Sequence, residues 1–382
     1  MARLGHTATD PITFLGNGTG KLYRKPAAAA PATIAPMDFF DAHLDLAYLA
    51  ELGRDLHVSP EDCRGRLQPA AVTLPSLRDG SVRACLGTIF TEAVADMTKP
   101  DAETGPFAYA AGDAPAAWMC GQRQLKLYHA WADAGLIRLL GRRGTNTPTP
   151  PGGADEPIAL GILMECADPI ETPGQLEDWA KAGVIMIGLA WWHGSRYTGG
   201  NGTPGVGLSA DGRELVANMD QLGIVHDLSH LSQRATDDLL ETTNAVVVAS
   251  HSNARALLEP DNERHVCDRT IAEIGRRGGI VGLNLVRNFI TTGLDERDPT
   301  DRPSVADAMN HVEHVCEVMG HRNGVGLGTD MDGGITANDL PKGINRPSDL
   351  TLLTDELAAR NWSDEDIHGF AWGNWASFWG LA

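Results

Sequence analysis

The chain has 382 residues, 42% of them hydrophobic, which is enough for one large α/β domain or two smaller ones with a substantial core. Its formal net charge of −19 argues against binding to a nucleic-acid backbone or to an anionic membrane surface. No apolar run approaches the roughly 18 residues of a membrane span, the first thirty residues lack a signal-peptide pattern, and the six cysteines are scattered, so we expect a cytoplasmic protein with reduced thiols.

The N-terminal region predicts an arm followed by the first strand of a folded domain. Residues 1–36 are rich in Gly, Pro and Ala and show little periodicity, so we expect an N-terminal extension and then one domain over residues 37–382. A short strand follows at Asp38–Asp45 and ends in the pair His43 and Asp45. Because side chains two residues apart on a strand share a face, this pair can reach one metal ion together.

Seven further strands follow. In Gly223–Asn253, a buried strand ending in His230 leads through a helix to a second strand ending in His251. Strands joined by a helical crossover are parallel, so the two histidines should stand side by side on one rim of a sheet. His226, an even number of residues before His230, is expected on the same face but deeper, in the core or in support of the site residues. The other strands are predicted at 81–91, 157–164, 184–190, 279–286 and 324–329, and helices at about 116–134, 172–183, 209–222, 232–243, 268–277 and 304–320, with a last one from Ser363.

An unbroken series of eight strand–helix units is the pattern of a (β/α)8 barrel, an α/β fold of the TIM type. Catalytic groups in such barrels lie at the C-terminal ends of the strands, where this chain carries its polar residues. A doubly wound open sheet is the alternative, but no glycine-rich phosphate fingerprint follows any early strand. The predicted fold is therefore a TIM-like barrel with its site at that end.

Six polar side chains at the ends of five strands are the candidate site residues: His43, Asp45, Glu165, His230, His251 and Asp330. Imidazoles and carboxylates without thiolates suit zinc or a similar first-row divalent ion. One ion needs only three of these ligands plus water. Two ions about 3.5–4 Å apart, sharing a carboxylate and a hydroxide, explain the larger set better.

The order of the strands suggests a role for each ligand. The pair at the end of the first strand would hold one ion, and the histidines of the fifth and sixth strands the other. Glu165, on a strand between these groups, is the natural bridge. Metal coordination lowers the pKa of bound water to about 7, which provides a nucleophile at neutral pH. Asp330 would take the proton from that water and pass it to the leaving group.

These residues also carry a family resemblance. In order, the segments Asp41–Asp45, Glu165, Asp227–His230, Ser250–Asn253 and Gly328–Gly333 resemble the membrane dipeptidase (renal dipeptidase, peptidase M19) family of the amidohydrolase superfamily. The resemblance covers roughly residues 38–380. It implies a binuclear zinc barrel that hydrolyses dipeptides, often with a D-residue at the C-terminal position, and some members of the family open β-lactams. It implies the same ligand roles as those given above.

The resemblance further implies an arginine, beyond the histidine of the sixth strand, that binds the substrate carboxylate. Arg264 is the best match, although it stands two residues farther from His251 than is usual in the family. Arg255 is the alternative.

One position departs from the family pattern. The family usually places a histidine just after the fourth strand to polarise the scissile carbonyl, and here Trp191 occupies that position. The missing donor is then expected from His193, Arg196 or Tyr197 in the same loop. Loss of one such donor typically costs about 10²–10³ in rate.

We therefore expect a metal-dependent, dipeptidase-like amide hydrolase that uses a metal-bridging hydroxide on a dipeptide or dipeptide-like substrate with a free carboxylate. Two alternatives stay open. One is a hydrolase of another small amide, such as a lactam or an N-acyl amino acid, on the same two ions. The other, suggested by Trp191, is a non-catalytic metal-binding relative. The family resemblance suggests a homodimer, and the expected partners include neither nucleic acid nor membrane.

Overall fold

The protein is described by a computed structural model that covers residues 37–94, 105–146, 156–295 and 297–381. The extension predicted for residues 1–36 lies outside these ranges. The described residues form eleven strands: β1 (Phe39–Leu44), β2 (Val82–Phe90), β3 (Ala93–Val94), β4 (Tyr109–Ala110), β5 (Ile137–Leu139), β6 (Ile158–Glu165), β7 (Val184–Gly188), β8 (Val225–Asp227), β9 (Val247–Val248), β10 (Val281–Leu283) and β11 (Val325–Leu327).

The same ranges contain eleven α-helices: α1 (Leu46–Glu51), α2 (Leu74–Asp79), α3 (Ala114–Asp133), α4 (Leu176–Lys181), α5 (Ala210–Leu222), α6 (Gln233–Thr242), α7 (Asp268–Arg276), α8 (Val305–Met319), α9 (Thr351–Ala359), α10 (Asp364–His368) and α11 (Asn374–Trp379). A π-helical turn, Gly369–Gly373, joins the last two. No helix within the described ranges combines the length and the apolar character that crossing a bilayer requires.

Eight of the strands form a parallel ring in the order β10, β11, β1, β2, β6, β7, β8 and β9. A parallel bridge between Ala249 and Val281 joins its two ends, and the Ala249 amide donates to the Ile280 carbonyl at 3.0 Å. Around the ring the strands follow chain order, as successive βα units require. The predicted (β/α)8 TIM-like barrel is therefore confirmed.

Some short elements were not predicted. β5 pairs with the first half of β6, where Ile137 stands opposite Ile158, and β3 pairs with β4. Strands of two or three residues are too short to show the alternation of apolar and polar residues that predicts a strand. Helix α9 was also missed.

Polar caps fix where the helices begin. Ser304 accepts from the Asp307 amide at 3.1 Å, and the Asp307 carboxylate accepts from the Ser304 amide at 2.8 Å, which is a complete capping box at the start of α8. Ser232 caps α6 in the simpler way by accepting from the Ala235 amide. Gly320 ends α8 with a φ of 75°, a backbone conformation that glycine adopts without a steric penalty.

The C-terminal tryptophans close the barrel interior at the end opposite the C-terminal ends of the strands. The Trp375 ring lies 6.0 Å from that of Phe40, and its Nε1 donates to the Leu327 carbonyl at 2.9 Å. A Cβ at Gly326 would clash with that nitrogen, so any larger residue there would force the indole to shift. With this end filled by apolar side chains, the C-terminal ends of the strands remain for polar groups.

Candidate active site

The strand ends bring five side chains into one cluster. One carboxylate oxygen of Glu165 lies 3.3 Å from Nε2 of His43, and the other lies 3.2 and 3.5 Å from Nε2 of His230 and His251. The Nε2 atoms of these last two histidines are 3.0 Å apart. A carboxylate oxygen of Asp45 lies 3.9 Å from the His43 Nε2. Glu165 therefore stands between the two groups of side chains.

Asp330 joins the cluster from the end of β11. Together with His43 and His251 it offers three ligand atoms that lie within 4.8 Å of one another. Its Oδ2 accepts from the Asn284 side-chain amide at 2.8 Å, which fixes the carboxylate. Asp330 and His230 have φ values of 59° and 65°, a conformation that is uncommon for residues other than glycine and that occurs often at functional sites.

A hydrogen-bonded layer beneath the cluster orients two of the rings. The Ser250 hydroxyl donates to Asp227 at 2.5 Å, so its lone pairs face Nδ1 of His251 at 2.8 Å and Nδ1 of His43 at 3.3 Å. Each of these rings then carries a proton on Nδ1. Their Nε2 atoms are turned towards the carboxylates.

The third ring is oriented from the loop after β7. Nδ1 of His230 lies 3.0 Å from Oδ1 of Asn201, an acceptor, which again leaves the proton on Nδ1 and the lone pair on Nε2. Lone pairs of His230 and His251 that face each other at 3.0 Å repel unless a cation lies between them. The site therefore presents nitrogen donors in the form that a metal ion requires.

Burial sets the charge state of the cluster. It lowers the pKa of His251 well below its ordinary value and that of His230 to about 4, so both rings are neutral. Burial also opposes the charged form of His43, but Glu165 and the neighbouring carboxylates outweigh it and raise the pKa of His43 to about 10. Burial together with Glu165 raises the pKa of Asp45 to about 7. The carboxylates thus attract positive charge to this point.

The donor set fits divalent metal ions. Three overlapping groups of ligand atoms lie within 4.8 Å: His43 with Asp45 and Glu165, Glu165 with His230 and His251, and His43 with His251 and Asp330. Nε2 of His43 is buried and has no hydrogen-bond partner among the described residues. Carboxylates and imidazoles at such distances, the latter through a deprotonated nitrogen, are ligands that zinc and similar ions prefer. A cation bound here would take the place of the Nε2 proton of His43.

A cavity of about 260 Å³ opens onto the cluster. Arg264 lines it, and its buried guanidinium lies 4.9 Å from the centre of the Phe289 ring. Nη1 of this arginine donates to the His251 carbonyl at 3.0 Å, whereas Nε and Nη2 have no partner among the described residues. The alternative, Arg255, donates to the His265 carbonyl and is not one of the described residues that line the cavity.

Trp191 lines the cavity at the position where the family usually has histidine. Its ring packs edge-on against Phe90, with centroids 5.1 Å apart, and lies 6.0 Å from the ring of His230. This wall of the cavity is therefore aromatic.

The three residues proposed to replace that histidine lie elsewhere. Tyr197 is fully buried, and its hydroxyl donates to the Ile170 carbonyl. Arg196 donates to the Glu171 carbonyl at 3.0 Å, and His193 is exposed. None of the three is among the described residues that line the cavity, because the loop turns back on itself and carries them away from it. The structure does not bring them to the cluster around Glu165.

Sequence reasoning gave no role to the residues that orient the side chains of the cluster. They are Thr88, whose hydroxyl donates to Asp45, together with Asn201, Asp227, Ser250 and Asn284. Asp227 and Ser250 lie within the segments that carry the family resemblance, and their positions at strand ends were a usable signal. Asn201 lies in a glycine-rich loop, where nothing in the sequence indicates a contact with a strand-end histidine.

The chain belongs to the membrane dipeptidase family (peptidase family M19), because a profile of that family matches residues 28–381. It is 37% identical over 179 residues to an uncharacterized dipeptidase of Schizosaccharomyces pombe, a match that covers 47% of this chain and 40% of that protein. It is 34% identical over 168 residues to dipeptidase aclJ of Aspergillus oryzae, covering 44% of this chain and 37% of the relative. The matched segments thus span less than half the length of these two relatives.

Solved structures share the fold. A dipeptidase AC, described as a metallopeptidase of family M19, superposes with a TM-score of 0.70 at 24% identity and covers 91% of this chain and 100% of its own. A metallopeptidase from Rhodobacter sphaeroides, liganded with a phosphinate mimic of the dipeptide L-Ala-D-Ala, gives the same TM-score and identity over 91% of this chain and 99% of its own.

Proposed function

We propose that this protein is a metal-dependent, dipeptidase-like amide hydrolase whose substrate is a dipeptide or dipeptide-like molecule with a free carboxylate. The observation that supports it most directly is a single cavity lined by Glu165, His230, Asp330 and Arg264. Proposed metal ligands, a basic carboxylate and a cation that forms no ion pair within the described residues thus face the same small volume.

The proposed metal site holds two divalent ions, most simply zinc. His43 and Asp45 would hold one, His230 and His251 the other, and Glu165, which lies beside both groups, would help to hold both. When bound, such ions supply a water that is ionised near neutral pH and polarise a carbonyl oxygen. The chain contributes fixed Nε2 lone pairs and a buried setting in which these charges act strongly.

Asp330 is the proposed proton carrier. Its Oδ2 is held by the Asn284 amide, so the carboxylate cannot turn away from the cavity that it lines. Burial raises the pKa of Asp330 to about 6, which makes this carboxylate a stronger base than an exposed one while keeping it ionised at neutral pH. It can therefore accept a proton from the attacking water and donate it to the leaving amine.

Arg264 is the proposed recognition group for the substrate carboxylate. A buried guanidinium with two N–H groups unbonded within the described part of the chain favours an acceptor that takes both at once. A carboxylate does this with its two oxygens. The names of two relatives, both dipeptidases, and the dipeptide mimic bound by the Rhodobacter sphaeroides neighbour support the same substrate class.

Metal analysis coupled to hydrolysis assays tests this function. We expect two zinc equivalents per chain and cleavage of some members of a stereochemically varied dipeptide library, with activity abolished by a chelator and restored by zinc. Protein that holds two equivalents and cleaves no amide in a broad screen would instead be the non-catalytic relative.

The presence of Trp191 in the wall of the cavity favours a second candidate function, the hydrolysis of another small amide. An indole in place of a polarising imidazole removes a hydrogen bond to the substrate carbonyl and adds apolar surface beside it. Lactams and N-acyl amino acids belong in the same screen. Cleavage of one of these classes without turnover of any dipeptide would select this candidate.

A further inference from the structure

One carboxylate of the cavity has no part in the metal site. Among the described residues that line the cavity, four carry carboxylates, and three of these, Asp45, Glu165 and Asp330, belong to the groups of ligand atoms. The fourth is Glu92. Its negative charge would attract a ligand group of opposite charge.

The topology sets Glu92 above the metal ligands. Phe90, the last residue of β2, pairs in register with Glu165, so Glu92 stands two residues beyond this level, or about 6–7 Å along the strand direction. Its Oε2 accepts from the Tyr48 hydroxyl at 3.0 Å and from the Gly105 amide at 2.7 Å. Two donors on one oxygen fix the carboxylate. No cation within the described ranges forms an ion pair with Glu92.

The surroundings of Glu92 suit an organic cation. The Tyr48 ring packs edge-on against Phe90 at 4.9 Å, and Phe90 packs in the same way against Trp191 at 5.1 Å. All three rings line the cavity. Aromatic faces attract ammonium groups, and the attraction adds to that of the carboxylate.

The opposite wall carries the opposite charge. Glu92 follows β2, and Arg264 lies in the segment after β9, which stands four places away in the ring of eight strands. Strands that far apart face each other across the barrel. The cavity is therefore cationic on one side and anionic on the other, with the metal ligands between.

We propose that Glu92 is a specificity-determining residue that binds the ammonium group of a zwitterionic substrate. This inference rests on the proposed function and deepens it: the substrate is a dipeptide with a free amino terminus, not an N-acyl amino acid. Arg264 takes the carboxylate end, Glu92 the ammonium end, and the scissile amide lies at the metal ligands.

Two substrates that differ only in the ammonium group test the inference. Glycyl-alanine and N-acetyl-alanine, of whichever alanine enantiomer the metal-loaded protein accepts, share the amide and the carboxylate. The measurement is the ratio of their kcat/KM values. We expect the wild type to prefer glycyl-alanine, and Glu92→Gln to lower the ratio about tenfold to a hundredfold, since a hydrogen bond to a charged group is lost. Glutamine still accepts from Tyr48 and Gly105, so the local structure is kept.

Glu171→Gln is the matched control. It removes the same charge from another half-buried glutamate on the same end of the barrel, outside the described lining of the cavity, and should leave the ratio unchanged. Tyr48→Phe, which removes one bond to Glu92, should lower the ratio by a smaller factor and serves if Glu92→Gln fails to fold.

The outcomes separate this inference from the proposed function. If both compounds are cleaved and Glu92→Gln leaves their ratio unchanged, the role of Glu92 is overturned while the hydrolase stands. If neither is cleaved, the proposed function is still judged by the dipeptide library, and calorimetric binding of the same two compounds to the metal-loaded protein tests the role of Glu92. Equal affinities for the two compounds would then overturn it, and a preference for glycyl-alanine that Glu92→Gln abolishes would support it.

Discussion

Polar side chains at the rim of the barrel converge on Glu165, whereas His193, Arg196 and Tyr197 in the loop after β7 lie outside the described lining of the cavity. At the rim, His43, His230 and His251 each have Nδ1 held by a hydroxyl or an amide oxygen and Nε2 turned towards Glu165. In the loop, the Tyr197 hydroxyl bonds to a carbonyl of the core. Each region carries histidine, but it is the rim histidines that converge on Glu165.

The difference shows what positions a functional side chain. At the rim, the register of parallel strands sets its height, and a buried hydrogen bond sets its orientation. In the loop, backbone bonds such as Gly194 to the Trp191 carbonyl at 2.8 Å and Ser195 to the Thr198 carbonyl at 2.8 Å fold the chain back on itself. The path of the loop, not its composition, decides which side chain lines the cavity, and that side chain is Trp191.

Asp330→Asn should have the largest effect on turnover. The amide keeps the shape of the side chain but cannot accept a proton from the attacking water, so kcat should fall about 10²- to 10⁴-fold. Metal content should stay near that of the wild type because the four other carboxylate and imidazole groups around Glu165 are untouched. Steady-state kinetics and metal analysis on the same preparation test both statements. A variant with a near-normal rate would remove Asp330 from proton transfer.

The difference between the rim and the loop also explains how much of the structure could be predicted from the sequence. The eight barrel strands and the six strand-end residues follow from apolar runs, helix caps and the rule that parallel strands end at one rim. The substitution at Trp191 was visible as a departure from the family pattern. For each of these features, the place of a residue in the order of strands and loops determines where it lies in the barrel.

His226 shows where counting along the chain fails. Its even spacing from His230 predicted a shared face, but its Nε2 lies 2.7 Å from Asp220 in helix α5. Strand β8 ends at Asp227, and His230 has a φ of 65°, so the alternation of faces does not extend from one histidine to the other. Such a backbone turn depends on tertiary contacts, and the Asn201 bond to His230 is one of them.

Arg264→Ala should raise KM by about tenfold to a hundredfold for substrates with a free carboxylate, because it removes a charged donor pair. Its effect on kcat should be smaller, since the arginine is proposed to hold a group remote from the scissile bond. C-terminally amidated substrates are the control and should respond little. An equal loss on both substrate types would exclude the proposed carboxylate contact.

Ser250→Ala tests whether the orientation of the rim histidines affects metal binding when all the proposed ligands are still present. The variant leaves every ligand in place but removes the oxygen that faces Nδ1 of His251 and His43. Loss of such a supporting contact typically weakens metal binding by about 10- to 100-fold. Competition with a chromogenic chelator measures it. Ser252→Ala is the matched control, because that hydroxyl donates to the Arg264 carbonyl instead, and equal affinities in the two variants would contradict the orienting role.

Tyr197→Phe should affect stability and leave activity almost unchanged. Removing the hydroxyl leaves the Ile170 carbonyl without that donor, which should lower the free energy of unfolding by about 1–3 kcal/mol. kcat/KM should stay within about twofold of the wild type, because the side chain points into the core. His193→Ala, at an exposed site, should change stability by no more than about 0.5 kcal/mol. Chemical denaturation measures stability and steady-state assays measure activity. A tenfold loss of kcat/KM in either folded variant would show that the loop contributes to the reaction after all.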